Sequence, residues 1–235
     1  MLEAMNPHVG AAASPSAWIE VPQFDWQALT AARALPVVAF RKGQTLFSQG
    51  DAATHVQLIE QGRVRLMLWS ESGQEKHLAI VGRHGLVGEC SAFLDGRQSM
   101  TAVASCDGVA RQIERTHLLR CMQADATCLR QVLWLMGTKL RVLAQQNLLL
   151  SQTSAAERVV HHLLQLADTY GETQTAGVAI GVSFTHQEMA NITGLSRVMT
   201  SNVMSQLQGQ GLIEMAKSHC VIRDMQGLRR LAPKL

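Results

Sequence analysis

The sequence predicts an α+β chain in three parts: an N-terminal antiparallel β-roll of jelly-roll type, one long helix, and a C-terminal winged helix-turn-helix. Three observations predict it. Short apolar runs punctuated by glycine fill residues 37–113, apolar residues recur at steps of four and three from Leu129 to Leu150, and two helical segments flank Gly194.

The first part is read from spacing. Val37–Phe40, Thr45–Phe47, His55–Glu60, Val64–Trp69, His77–Val81, Thr101–Ala104 and Ala110–Ile113 are separated by Lys42-Gly43, Gln49-Gly50-Asp51, Gln61-Gly62, Ser72-Gly73 and Asp107-Gly108. Short apolar segments between such turn residues predict strands of an antiparallel roll, barrel or sandwich. The first 20 residues lack the basic and apolar stretches of a secretory signal. Their Ala, Ser and Pro content predicts a mobile arm over 1–25, which leaves 26–125 for the roll.

The second part is the helix, expected over 126–151. Leu129, Leu133, Met136, Leu140, Leu143, Asn147 and Leu150 form a heptad seam of the kind that pairs two helices, with Asn147 a polar position able to fix register. Leu148 and Leu149 widen the stripe near one end, so contact with the chain's own roll is expected there. A purely intramolecular core helix is the alternative. A further helix is expected from Ser154 to Tyr170, stopped by Gly171, with Glu172–Gly181 a polar connection.

The third part spans 152–235. Thr185-His186-Gln187-Glu188 fits a capping box. The helix it opens carries Met189, Ala190 and Ile192 and ends at Gly194, suited to a left-handed cap. Ser196 can then cap a second helix, which would bury Thr200, Val203, Met204 and Leu207 and present Arg197, Val198, Ser201 and Asn202. Leu212–Glu214, Lys217-Ser218-His219 and Val221-Ile222 suggest a hairpin wing. Two short helices, a glycine turn and a polar leading face are the geometry of a DNA reader.

Charge agrees. From Val182 onward Arg197, Lys217, Arg223, Arg229, Arg230 and Lys234 outnumber Glu188, Glu214 and Asp224, while the rest of the chain is balanced, so the whole net charge of +3 sits at this end. Such a segment attracts phosphates. The expected DNA contacts are Ser196, Arg197, Val198, Ser201 and Asn202 on the second helix, Thr185, His186 and Gln187 at the start of the first, and Lys217 and His219 in the wing.

Composition excludes other classes. Apolar residues make up 47% and aromatics 4%, so the cores are aliphatic. The five cysteines form no Cys-x-x-Cys pair, which argues against a zinc ribbon or a disulfide framework. No apolar run approaches the roughly 20 residues of a membrane span, and the cytoplasm is the expected location. Two rivals remain: a regulatory subunit whose C-terminal helices bind a protein, and a cupin-like metalloenzyme using His55, His77 or His84. The second lacks a tight ligand motif.

With these residues in hand, the chain after about Trp26 resembles the CRP/FNR family of transcription regulators. Gly43, Gln49-Gly50-Asp51, Gly62, Gly85 and Gly88-Glu89 stand where the family's cyclic-nucleotide-binding roll has its turns and phosphate cassette, and Gly194-Leu195-Ser196-Arg197 matches the start of its recognition helix. The resemblance implies a homodimer on double-stranded DNA, RNA polymerase as a further partner, no enzymatic activity, and an effector pocket around Gly88, Glu89, Cys90, Gln98, Ser99, Leu143 and Ala144. Departures from the family pattern bear on the effector. Gln98-Ser99 replaces the Arg-Ser that holds a cyclic phosphate, Arg97 is displaced by one residue, and Leu143-Ala144 replaces the Thr-Ser that touches the adenine, all of which argues against cyclic AMP. No cysteine precedes Cys90, which argues against the FNR-type iron–sulfur cluster. The stretch Thr173–Leu207 also resembles the family's haem-dependent carbon monoxide sensor, so haem through Cys90, His84 or another ligand stays open, although that sensor's Cys-x-His pair is absent. On the recognition face Val198 and Asn202 replace the family's Glu and Arg, which implies a different half-site.

Overall fold

In a computed structural model the described residues are 16–31, 35–71, 73, 75–94, 96–216 and 218–233. In chain order they form β1 (Trp18–Ile19), α1 (Gln27–Thr30), β2 (Val37–Phe40), β3 (Thr45–Phe47), β4 (His55–Gln61), β5 (Val64–Trp69), β6 (Glu75–Val81), β7 (Leu86–Val87), α2 (Glu89–Ala92), β8 (Thr101–Ala104), β9 (Gly108–Glu114), α3 (Arg115–Ala124), α4 (Ala126–Gln152), α5 (Ala155–Tyr170), β10 (Gly171–Gln174), β11 (Gly177–Ile180), α6 (His186–Thr193), α7 (Arg197–Gly209), β12 (Ile213–Ala216), β13 (His219–Ile222) and α8 (Met225–Arg230).

The N-terminal half is a roll of two sheets, ordered β1-β6-β5-β8-β3 and β2-β9-β4-β7. Every pairing in them is antiparallel except β1 with β6. All seven expected strands form, and β7 adds a short pair to β4. Alternation puts Val56, Leu58, Val64, Leu66, Ala79 and Val81 inside, in the continuous core that also takes in Ile113 and Leu118.

The expected mobile arm does not extend to residue 25. Trp18 and Ile19 pair with Ile80 and Val81 of β6, and Ala17, Trp18, Ile19 and Val21 are buried. Trp18 stacks edge-on against His162 of α5 at 5.6 Å, and the Tyr170 hydroxyl donates to Glu20. Tertiary packing orders a segment too short to announce itself as a strand. Residues 1–15 of the expected arm lie outside the described residues.

Helix α4 runs from Ala126 to Gln152, capped by the Asp125 carboxylate, which accepts from the amides of Thr127 and Cys128. Its contact with the roll is not confined to one end. Cys128, Gln131, Val132, Leu135, Lys139, Val142, Gln146 and Leu149 form a second, buried stripe along its full length. Three of these are polar, so the stripe escapes a search for apolar periodicity. The Gln146 amide donates to the Leu78 carbonyl at 2.7 Å, and Lys139 reaches into the roll.

The connection expected over 172–181 is instead a hairpin. Gly171–Gln174 pairs with Gly177–Ile180, and β11 then pairs with β13, which makes the four-stranded sheet β10-β11-β13-β12. Polar exposed residues on β10 hide the strand from a hydrophobicity reading. This sheet, α5, α6, α7 and α8 enclose the C-terminal core of Val159, Leu163, Leu166, Met189, Val203, Leu207 and Ile222.

Candidate nucleic-acid interface and sensor cassette

The two interface helices are fixed by local chemistry. Thr185 caps α6: its hydroxyl accepts from the Glu188 amide at 3.1 Å, while the Glu188 carboxylate accepts from the Thr185 amide at 2.8 Å. Gly194 ends α6 at φ +68, a left-handed backbone conformation that favours glycine, and the tip of the Leu150 side chain lies 2.9 Å from where a Cβ would stand. Ser196 then caps α7 by accepting from the Met199 amide at 3.1 Å. Removing a capping hydroxyl costs about 0.5–2 kcal/mol. Thr185→Ala should therefore lower unfolding stability by about that amount in DNA-free denaturation.

α7 buries Thr200, Val203, Met204 and Leu207, as its periodicity requires. The opposite face carries Arg197, Val198 (71% exposed) and Asn202, all exposed, with Ser201 half-buried. Ser205, Gln206 and Gln208, also exposed, continue this face beyond the residues singled out from sequence. The face has no acidic side chain to repel phosphate. Gln187 is exposed at the start of α6, where its amide donates to Asn191 at 2.7 Å, and His186 is half-buried. The Thr185 hydroxyl is engaged in its cap and also donates to Glu188 at 3.0 Å. In the wing His219 is exposed on β13, whereas Lys217 lies outside the described residues.

The helix-turn-helix is bonded to the roll. Lys76 of β6 donates to the Ile192 carbonyl at 2.7 Å, at the negative end of the α6 dipole. His77 of β6, buried, bonds to Glu75 and lies 3.4 Å from the Asn191 amide. These contacts join β6 to α6.

The cassette takes an unexpected form. Gly88 sits at φ +89 ahead of α2, and Glu89, the first residue of that helix, is fully buried. Lys139 of α4 donates to the Glu89 carboxylate and, at 2.8 Å, to the Leu86 carbonyl. The two side chains are 7% and 0% exposed, so this is a buried ion pair. Gln98 is 3% exposed where a cyclic phosphate would need a guanidinium, and Arg97 points outward to donate to the Gly50 carbonyl at 2.9 Å. Ser99 is tied to Ser91 by its amide at 3.0 Å. Gly88, Glu89, Cys90, Gln98 and Ser99 do converge, but on only about 10 Å³ of free space. That is room for about one water molecule.

Leu143, expected with them, lines an adjoining cleft that shares Cys90 with the cassette, and Ala144 is exposed on α4 and lines neither space. Lys139 was not foreseen. Its signal was a lysine between apolar neighbours on a helix, indistinguishable in sequence from a solvated one.

Four of the five cysteines sit where burial holds the thiol protonated. Burial pushes Cys90 and Cys220 up to about 12 and Cys128 up to about 11, and Cys121 is also raised. Raised in this way, these thiols favour the protonated form at neutral pH, which disfavours thiolate chemistry at them. Cys90 does not suit a haem thiolate, because a carboxylate lies beside it, and His84 lines a different cavity near Trp26. Among the described residues no cluster of three or more His, Cys, Asp or Glu could hold a metal, and no helix is long and apolar enough to cross a membrane.

Residues 37–125 match the cyclic nucleotide-binding domain and residues 157–231 the Crp-like helix-turn-helix domain. The chain is 29% identical over 201 residues to a cyclic AMP receptor protein of Thermus thermophilus, covering 82% of this chain and 86% of that one. It is 26% identical over 198 residues to a CRP-like cAMP-activated global transcriptional regulator of Mycobacterium tuberculosis, covering 84% and 88%. Its fold superposes on FixK2 from Bradyrhizobium japonicum with a TM-score of 0.74 at 21% identity, over 86% of this chain and all of that one.

Proposed function

The chain belongs to the CRP/FNR family of transcription regulators, and on that premise we propose that it acts in the cytoplasm as a homodimer on a palindromic operator, controlled by an effector other than cyclic AMP. It binds DNA as a regulator and is not an enzyme, as its relatives are not. The observation that carries the dimer is the uncovered seam of α4. Leu129, Leu133, Leu140, Leu143 and Leu150 are exposed large apolar side chains on one face, while the opposite stripe holds the roll. A single chain does not keep five leucines in water along one helix without a partner helix to cover them.

Two copies of α7 then enter successive major grooves, about 34–36 Å apart. Arg197, Ser201 and Asn202 read bases, Val198 packs on a thymine methyl, and Asn202 suits adenine where an arginine would suit guanine. Ser196, His186, Gln187, Lys217 and His219 contact the backbone, with the Thr185 amide end of α6 beside them. RNA polymerase is the further partner at the promoter. A signal in the roll passes through β6 and the Lys76 and His77 contacts to α6.

Two relatives carry cyclic AMP in their names. Buried Gln98 and the filled cassette support a different effector here, since a phosphate without a guanidinium loses its charge-assisted bonds. Selecting bound sequences from a random DNA pool tests the reading. The expected outcome is a palindrome with A·T pairs opposite Val198 and Asn202, and the family's G·C-containing half-site would overturn it. Arg197→Ala should weaken binding to the selected site by roughly 1–3 kcal/mol, measured at fixed salt by titration. Unchanged affinity would remove α7 from the groove.

A further inference from the structure

Beside the closed cassette lies an open cleft of about 490 Å³. One wall comes from the roll through Leu66, Leu78 and Met100, and the other from α4 through Met136, Gly137 and Leu140. Both belong to the same chain, and the volume falls within the range of small-molecule sites. We propose that this cleft binds a neutral, largely hydrophobic small molecule carrying one hydrogen-bond donor, and that this is the class of effector the protein senses.

The polar chemistry of the lining selects that class. Among the described residues that line the cleft the one ammonium, Lys139, is already bonded to Glu89 and to the Leu86 carbonyl, so none of them offers a free cation to an anionic ligand. The Cys90 thiol is neutral and bonds to Glu89 at 3.4 Å. Glu89 is 0% exposed, and its Oε2 has no hydrogen-bond partner among the described residues. It lines the cassette cavity, which shares Lys139, Cys90, Leu66 and Met100 with the cleft. A buried acceptor left unmade is costly, and a donor arriving from the cleft would satisfy it. A phosphate would bring only acceptors and a like charge to the same carboxylate.

Gly137 is an independent observation. Glycine is unfavourable within a helix, yet a Cβ at this position would meet nothing within 4 Å. Packing within the chain does not demand it, and its absent side chain leaves the helix wall open at the cleft. Leu140 and Leu143 belong to both the cleft and the proposed seam. The second helix of a dimer would therefore roof the bound molecule and feel its presence. The inference rests on the reading of the protein as an effector-controlled dimer.

The test uses two fluorescent probes on the full-length protein, with its mass measured by light scattering in the same samples. N-phenyl-1-naphthylamine is neutral, and 8-anilino-1-naphthalenesulfonate has the same rings with a sulfonate added. The neutral probe should bind saturably, one per chain, and at least tenfold more tightly than the sulfonate. Gly137→Phe and, separately, Leu78→Trp should each weaken it at least tenfold, with circular dichroism confirming that each variant is folded. An intact dimer that binds no probe would overturn the proposal, because the second copy's side chains would then fill the cleft. Equal affinity for the two probes, or binding unchanged in both variants, would overturn it as well. A monomer that binds the neutral probe with the stated selectivity keeps the site and removes only the dimer.

Discussion

Lys139→Met should destabilise the protein by about 3–5 kcal/mol, the usual cost of breaking a buried ion pair from one side. The Glu89 carboxylate is 0% exposed, and Lys139 is the cation bonded to it. Removing the ammonium strands that charge in the core and also leaves the Leu86 carbonyl without its donor. Total stabilities of about 5–15 kcal/mol are ordinary for a domain, so the loss would be plain in a denaturant titration. The pair itself need not be stabilising. Replacing both partners together, Glu89→Leu with Lys139→Met, removes the charge and its cost at once, and such exchanges are often neutral. The double variant is therefore expected to recover most of the loss. The resulting coupling would measure how firmly α4 is bolted to the cassette. A single variant within about 1 kcal/mol of the parent would mean that water reaches Glu89 and that the pair is not sealed as the structure has it.

The second large effect concerns the seam. Leu140 is 68% exposed on α4, so Leu140→Glu costs the single chain little, but in a dimer it sets two carboxylates face to face in an apolar seam. Sedimentation should show the parent as a dimer and the variant as a monomer. Operator affinity should fall about 10²–10⁴-fold, because the second half-site no longer benefits from being tethered to the first. Arg141→Glu, exposed and off the seam, is the control and should remain dimeric. If Leu140→Glu stayed dimeric, the subunits would pair through another surface, and the exposed leucines would need a different occupant.

Where the sequence succeeded, each feature was its own local signal. The Thr185–Glu188 capping box, the Gly194 turn and the Ser196 cap depend on residues within four positions of one another, and each forms as read. The strands from Val37 to Ile113 were legible because turn glycines frame them. The alternation of Thr200, Val203, Met204 and Leu207 with exposed neighbours places α7 with one face in the core.

Where it failed, the deciding partner lay far along the chain. β1 is two residues long and exists because β6 offers an edge some sixty positions away. β10 is exposed on every residue and is held by its ladder to β11, which β13 in turn supports. The stripe of α4 that packs on the roll contains Gln131, Lys139 and Gln146, which are tolerated inside only where a carbonyl or carboxylate of the roll meets them.

The sequence by itself thus determined the class of fold, the helix-turn-helix and the absence of a phosphate-binding arginine, because caps, turns, periodicity and residue identity are properties of short stretches of chain. The tertiary structure alone decided that the cassette is closed from within by Lys139, that an adjoining apolar cleft opens beside it, and that β6 grips α6. Each of these depends on distances between residues 50 or more apart in sequence, which no local pattern encodes.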